Sequence, residues 1–144
     1  MYRAVVDTNL IISGTASASS VPYHLLEAWR RNEYILVTSV PILAEVKEVF
    51  EREDIQAHFH ITSDQAKNVI ETFTKQAFVT PGELEVNVVK DDPDDNKFIA
   101  AAIEGSASYI ISGDRHLLDI KEYEGIKIMK ARNFLEDLLQ KGVK

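Results

Sequence analysis

The sequence predicts a three-layer α/β/α domain built on a central parallel sheet. Three observations carry this. Short β-branched runs, such as YRAVVD at 2–7 and YILVTS at 34–39, alternate with amphipathic segments. Strands that alternate with helices pack as a parallel sheet covered on both faces. Two helical segments open with serine and then proline, Ser20 with Pro22 and Ser39 with Pro41, the cap and first-turn chemistry of a helix start. Acids also stand just past apolar strands, in AVVDTN and YIISGD, at the edge where open α/β sheets bind ligands.

Taken in order, residues 2–7 form a strand closed by a polar turn. Residues 21–31 place Val21, Leu25 and Trp29 at helical spacing behind Ser20, which predicts a second element that is helical. YILVTS is the next strand, and a helix carrying VPILAEVKEVFER starts at Ser39. TSDQAKNVIETFTKQ at 62–76 is another helix, with Ala66, Ile70 and Phe73 on one side. AFVT is a short strand and VNVV an extended piece. A helix follows Pro93, then the strand SYIIS at 108–112, the helical turn RHLLDI and a last strand IKIM. ARNFLEDLLQK closes the chain as a helix with Phe134, Leu138 and Leu139 apolar. No repeat or linker interrupts the pattern, so one domain over residues 1–144 is expected. A chain of this length buries roughly 70% of its unfolded surface.

The net charge is −7 and there is no cysteine, so neither a disulfide framework nor a thiolate metal site is expected. No apolar run approaches the roughly 20 residues that span a membrane. The start, MYRAVVDTN, lacks a signal peptide's charged region and long apolar core, so the expected address is the cytoplasm. The acidic balance is the wrong sign for a nucleic-acid binder that works by general electrostatic capture. It is compatible with an enzyme whose metal ions bridge acids to phosphate.

Residues 91–95 read DDPDD. Asp92 suits an N-cap, Pro93 the first helical position, and the next two acids favour the positive end of the helix dipole. Asp95, however, lies three residues before Phe98 and four before Ile99, and so continues the apolar stripe of Phe98, Ile99, Ala102 and Ile103. Asp91 and Asp94 fall off that line and are expected in solvent. Asp7 and Asp114 each follow a buried strand, where an acid serves equally as a turn residue. In the helix after Ser39, Glu45 falls roughly 90° from the centre of the apolar face and Glu48 roughly 150°. Each acid alone has a structural explanation: turn, cap or solvated flank. Together on one edge they repel unless something positive neutralises them, and oxygen-only ligation suits Mg²⁺ or Mn²⁺. The histidines, His24, His58, His60 and His116, lack zinc spacing and read as surface residues. There is no Gly-rich phosphate loop, and Ser39 and Ser112 lack a matching histidine–acid arrangement.

The order VVDTN, then a mid-chain helical glutamate, then DPDDNKFIAAAIEGSASYIISGDRHLL resembles the PIN-domain nucleases over nearly the whole chain. It is most similar to their branch of toxin components of toxin–antitoxin pairs. The resemblance implies a ribonuclease dependent on Mg²⁺ or Mn²⁺ that cleaves single-stranded RNA. The family's acids fall on Asp7, Glu45, Asp95 and Asp114, with Asp7, Asp95 and Asp114 as metal ligands. Its supporting polar residues fall on Thr8, Asn9 and Ser112. Glu48 rivals Glu45. An antitoxin that covers the site and a homodimer are partners the resemblance implies, with no membrane. Lys47, Lys90, Lys97 and Arg115 are candidate contacts for an RNA backbone. The competing reading is a non-catalytic regulatory or partner-binding α/β domain that keeps the acidic metal pocket.

Overall fold

The structure, a computed structural model, describes residues 1–142. Six strands form one sheet: β1 (Arg3–Val6), β2 (Ile35–Ser39), β3 (Phe78–Thr80), β4 (Tyr109–Ile111), β5 (Glu122–Tyr123) and β6 (Ile126–Met129). Their order is β3-β2-β1-β4-β6-β5. Every neighbouring pair is parallel except β5 with β6. The chain steps outward from β1 to β2 to β3, then returns to lay β4 on the other side of β1. The strand order therefore reverses between β1 and β4, and the carboxyl ends of these two strands flank the switch point.

Among the described residues eight α-helices cover the sheet: α1 (Thr8–Ala16), α2 (Val21–Arg30), α3 (Val40–Glu51), α4 (Glu53–Phe59), α5 (Ser63–Gln76), α6 (Asn96–Glu104), α7 (Arg115–Leu118) and α8 (Ala131–Gly142). Right-handed crossovers assign α1–α5 to one face and α6 and α7 to the other. In keeping with that, α6 packs on β1, β2 and β4, while α1 packs on α2, α3 on α5, and α2 on α8. Helix starts are fixed by short polar side chains. Ser20 accepts from the Tyr23 amide and Ser39 from the Ile42 amide, each with proline in the first turn. Thr62 and Gln65 close a reciprocal capping box at α5.

The strands are buried on both faces: Ala4, Val5, Val6, Leu36, Val37, Ile110 and Ile111 are all inaccessible. This is why they read as continuous apolar runs rather than alternating ones. Helix α6 buries Phe98, Ile99, Ala101 and Ala102 against them. On the other face Trp29 stacks on Phe73, with centroids 4.8 Å apart. Phe134 of α8 packs among the rings of Tyr2, Tyr34 and Tyr109.

Four details depart from the sequence pattern. The polar turn expected after the first strand is instead the start of α1, because the Asp7 carboxylate caps it and Ile11 and Ile12 are buried by it. A separate helix, α4, follows α3 after one extended residue, Arg52. VNVV at 86–89 joins no strand. Leu139 is 72% exposed, although Phe134 and Leu138 of the same helix are buried.

Gly14 sets the approach of α1 to α2. A Cβ there would lie 2.6 Å from the Pro22 carbonyl oxygen and 2.8 Å from Leu26 Cδ1. Alanine gains up to about 1 kcal/mol of helix propensity, but overpacking against a backbone oxygen costs about 1–3 kcal/mol. Gly14→Ala is therefore expected to lower the urea midpoint. An unchanged midpoint would show that α2 can move away freely.

Candidate functional site

At the switch point the Asp7 amide donates to the Ile111 carbonyl at 3.0 Å, which locks the ends of β1 and β4 together. Asp7 is 4% exposed. Its Oδ1 accepts the Leu10 amide at 3.0 Å, and its Oδ2 accepts the Ser112 hydroxyl. Ser112 is wholly buried and in turn accepts the Asp114 amide at 2.9 Å. Asp114 caps α7 by accepting the His116 amide at 2.8 Å. Burial pushes the Asp7 pKa up. The bonds from Ser112 and Leu10 oppose this, and the charge of Asp114 adds to it.

The third acid arrives by a different route. Residues Pro93–Asp95 form a 3-10 turn that leads into α6, with the Asp95 amide donating to the Asp92 carbonyl at 3.0 Å. Asp92 was expected to cap this helix, but its side chain makes no capping bond. The turn instead brings it to the acids: one oxygen from each of Asp92, Asp95 and Asp114 lies within 4.8 Å of the others. Asp95 is 8% exposed, and its Oδ2 is buried without a hydrogen-bond partner. Burial, then Asp114, then Asp92 push its pKa up to about 7, against the pull of Lys97. Asn96 fixes this segment. Its Oδ1 accepts the amides of Val88 and Val89 at 2.9 and 2.8 Å, and its Nδ2 donates to the Pro93 carbonyl at 2.9 Å.

Glu45 stands on the opposite wall, on the border of the α3 core as its helical angle predicted, while Glu48 is exposed. It accepts the Thr8 hydroxyl on one oxygen and the Lys97 ammonium on the other. Lys97 also pairs with Asp94 at 2.7 Å, so Asp94 is not merely solvated. Burial alone would lower the Lys97 pKa, but Asp94 and Glu45 outweigh it and hold it raised. Between the walls lies a cleft of about 720 Å³ lined by Thr8, Asn9, Glu45, Asp95, Lys97 and Asp114, among others.

Asp95 and Asp114 are thus brought together, joined by Asp92, whose place sequence reading missed. The signal was its spacing of three before Asp95, one turn of a 3-10 helix. Asp7 sits beside Asp114 but outside that triple, with both of its oxygens satisfied. Thr8 and Ser112 orient acids directly. Asn9 lines the cleft. His24, His58, His60 and His116 are all exposed, as are Lys47, Lys90 and Arg115. An orphaned, buried carboxylate oxygen among three clustered acids is a ligand set for a hard divalent cation, and the residues fit one.

A sequence model described as PIN domain matches residues 3–116. The chain is 26% identical over 131 residues to an uncharacterized protein of Methanocaldococcus jannaschii, covering 91% of this chain and 81% of that one. Among solved structures it is similar to a chain in the crystal structure of VapBC2 from Rickettsia felis bound to a DNA fragment from their promoter. The TM-score there is 0.56 at 13% identity, over 88% of this chain and 96% of that one. At that identity the likeness shows the fold.

The raised pKa of Asp95 has a signed consequence. A carboxyl whose folded pKa lies above its unfolded value destabilises the fold when ionised. The missing stability returns as pH falls through about 7 and is complete below the ordinary value of 3.8. With no divalent ion present, stability should rise from about pH 8 to about pH 6 through this group. Asp95→Asn should flatten that slope and leave stability equal or higher at pH 8. Urea titrations at the two pH values decide it; a slope unchanged in the variant would place the proton elsewhere.

Proposed function

The chain belongs to the PIN domain family, and on that premise we propose that it is a divalent-metal-dependent ribonuclease that cuts single-stranded RNA in the cytoplasm as the toxin of a toxin–antitoxin pair. The observation that carries the reading is the convergence of Asp92, Asp95 and Asp114 around an unpartnered buried oxygen, beside Asp7 and at the sheet's switch point. The fold shared with a chain of VapBC2, solved on promoter DNA, supports an antitoxin as partner.

Asp92, Asp95 and Asp114 would hold Mg²⁺ or Mn²⁺. When bound, the ion supplies charge neutralisation at the phosphate and a water of lowered pKa. The chain's own groups set the stage for this. Ser112 holds Asp7 and the Asp114 amide in one geometry, so Asp114 cannot swing away from Asp95. Asp7 adds negative charge behind the ligands. Asp95, with its pKa near 7, sheds its proton when a cation takes its place. Across the cleft Thr8 and Lys97 fix Glu45, and the Lys97 ammonium is the positive group that faces an incoming phosphodiester. Among the residues that line the cleft Lys97 is the cation, and the net charge is −7, so shape and a partner, rather than bulk charge, would select the RNA.

Purified protein should cut unstructured single-stranded RNA in Mn²⁺ and stop in EDTA. Glu45→Gln should lower the rate by about 10–100-fold, while Glu48→Gln and Asp91→Asn stay near wild type. Initial rates on a labelled oligoribonucleotide measure this. RNA left intact in Mn²⁺ at micromolar enzyme would favour the partner-binding domain instead.

A further inference from the structure

A second cavity, about 560 Å³, adjoins the acidic cleft and shares Pro41 and Lys97 with it. We propose that it is a nucleobase subsite, which holds a nucleotide of the RNA strand next to the scissile phosphate. The inference rests on the ribonuclease reading and names how that site grips its substrate.

The size lies within the roughly 300–1,000 Å³ of small-ligand pockets. Its lining includes the Pro41 ring at the start of α3, Ala100 of α6, and Leu84, Glu85, Val86 and Asn87 of the loop after β3. The apolar members, Pro41, Leu84, Val86 and Ala100, suit the faces of a planar base, because bases drawn out of a stack are held between apolar or aromatic side chains. Asn87 is exposed, and its amide offers both a donor and an acceptor to a base edge. Lys97 stands where the two cavities meet, so a phosphodiester running from one to the other passes the single cation on the shared wall.

The loop is built to keep this space open. It pairs with no strand, yet both ends are fastened to α6. Glu104 accepts the amides of Gly82, Glu83 and Leu84 at 2.8, 2.9 and 3.0 Å, and Asn96 holds the amides of Val88 and Val89. Gly82 has a φ of +74°, and a Cβ there would lie 2.3 Å from Pro41 Cδ. The loop therefore touches Pro41 at its root. Leu84 is 41% exposed among the described residues.

The test uses the full chain with Mn²⁺ and a labelled single-stranded oligoribonucleotide whose cleavage position has been mapped. Sugars without a base replace each flanking nucleotide in turn. In wild type, one flanking position should raise KM about fivefold when its base is removed. Leu84→Ser and Asn87→Ala change exposed residues and leave the fold intact. Both should raise KM on intact RNA and lose the distinction between intact and abasic strands. Free mononucleotides should compete only weakly if the strand is the ligand; tight competition would overturn the assignment to RNA. If RNA is cut but no flanking base matters, or the sensitivity survives in both variants, the subsite is wrong and the nuclease reading stands. If wild type leaves RNA intact, the nuclease reading fails and takes the subsite with it.

Discussion

One buried hydroxyl holds the site together. Ser112 donates to Asp7 and accepts from the Asp114 amide, so both its donor and an acceptor site are used at a position with no access to water. A satisfied buried hydroxyl is rigid, because rotating it away strands two polar groups at once. It therefore joins the ends of β1 and β4 into one unit. The placement of Asp114 opposite Asp95, and hence the closeness of the acid triple, depends on that unit not flexing.

The cleft divides into two electrostatic halves. On one wall the Lys97 ammonium pairs directly with both Glu45 and Asp94 and offsets one of their two charges. On the other, Asp92, Asp95 and Asp114 lie together, and the pull of Lys97 on Asp95 is weaker than the push of burial and of its two acidic neighbours. Like charges this close in a partly dry setting cannot all ionise. The upward shift at Asp95, the most buried of the three, comes first from that burial and then from this conflict with Asp114 and Asp92. The half without a direct ion pair is the half that fits an external cation, and Lys97 marks the boundary between them.

Much of this was legible in the sequence because it depends on periodicity. The alternation of strands and helices gives the layers, and strand ends place Asp7 and Asp114. Helical phase puts Glu45 at the border of the core and points Asp95 along the buried stripe of α6. What was not legible depends on competition between two uses of the same residue. Asp92 has the chemistry of a cap, and only the 3-10 geometry of the following turn diverts it to the acids. Asp7 both ends a strand and caps α1, so a strand–turn reading hid a helix. Sequence reading grouped Lys97 with Lys47, Lys90 and Arg115 as contacts for RNA, and only the fold sets Glu45, fifty-two positions away, beside it. Leu139 fits an apolar stripe in sequence but projects beyond the body that would cover it.

The attachment of the 82–89 loop has a consequence for how such a protein can change over generations. Glu104 and Asn96 hold the loop by its backbone amides, and a backbone amide is the same whatever side chain it carries. The shape of the loop is thus insured by two residues on a neighbouring helix, while the exposed Leu84, Glu85 and Asn87 are free to drift. Mutation can rewrite what this surface displays without touching what keeps it folded. A scaffold of that kind can acquire new preferences in single steps, each one viable.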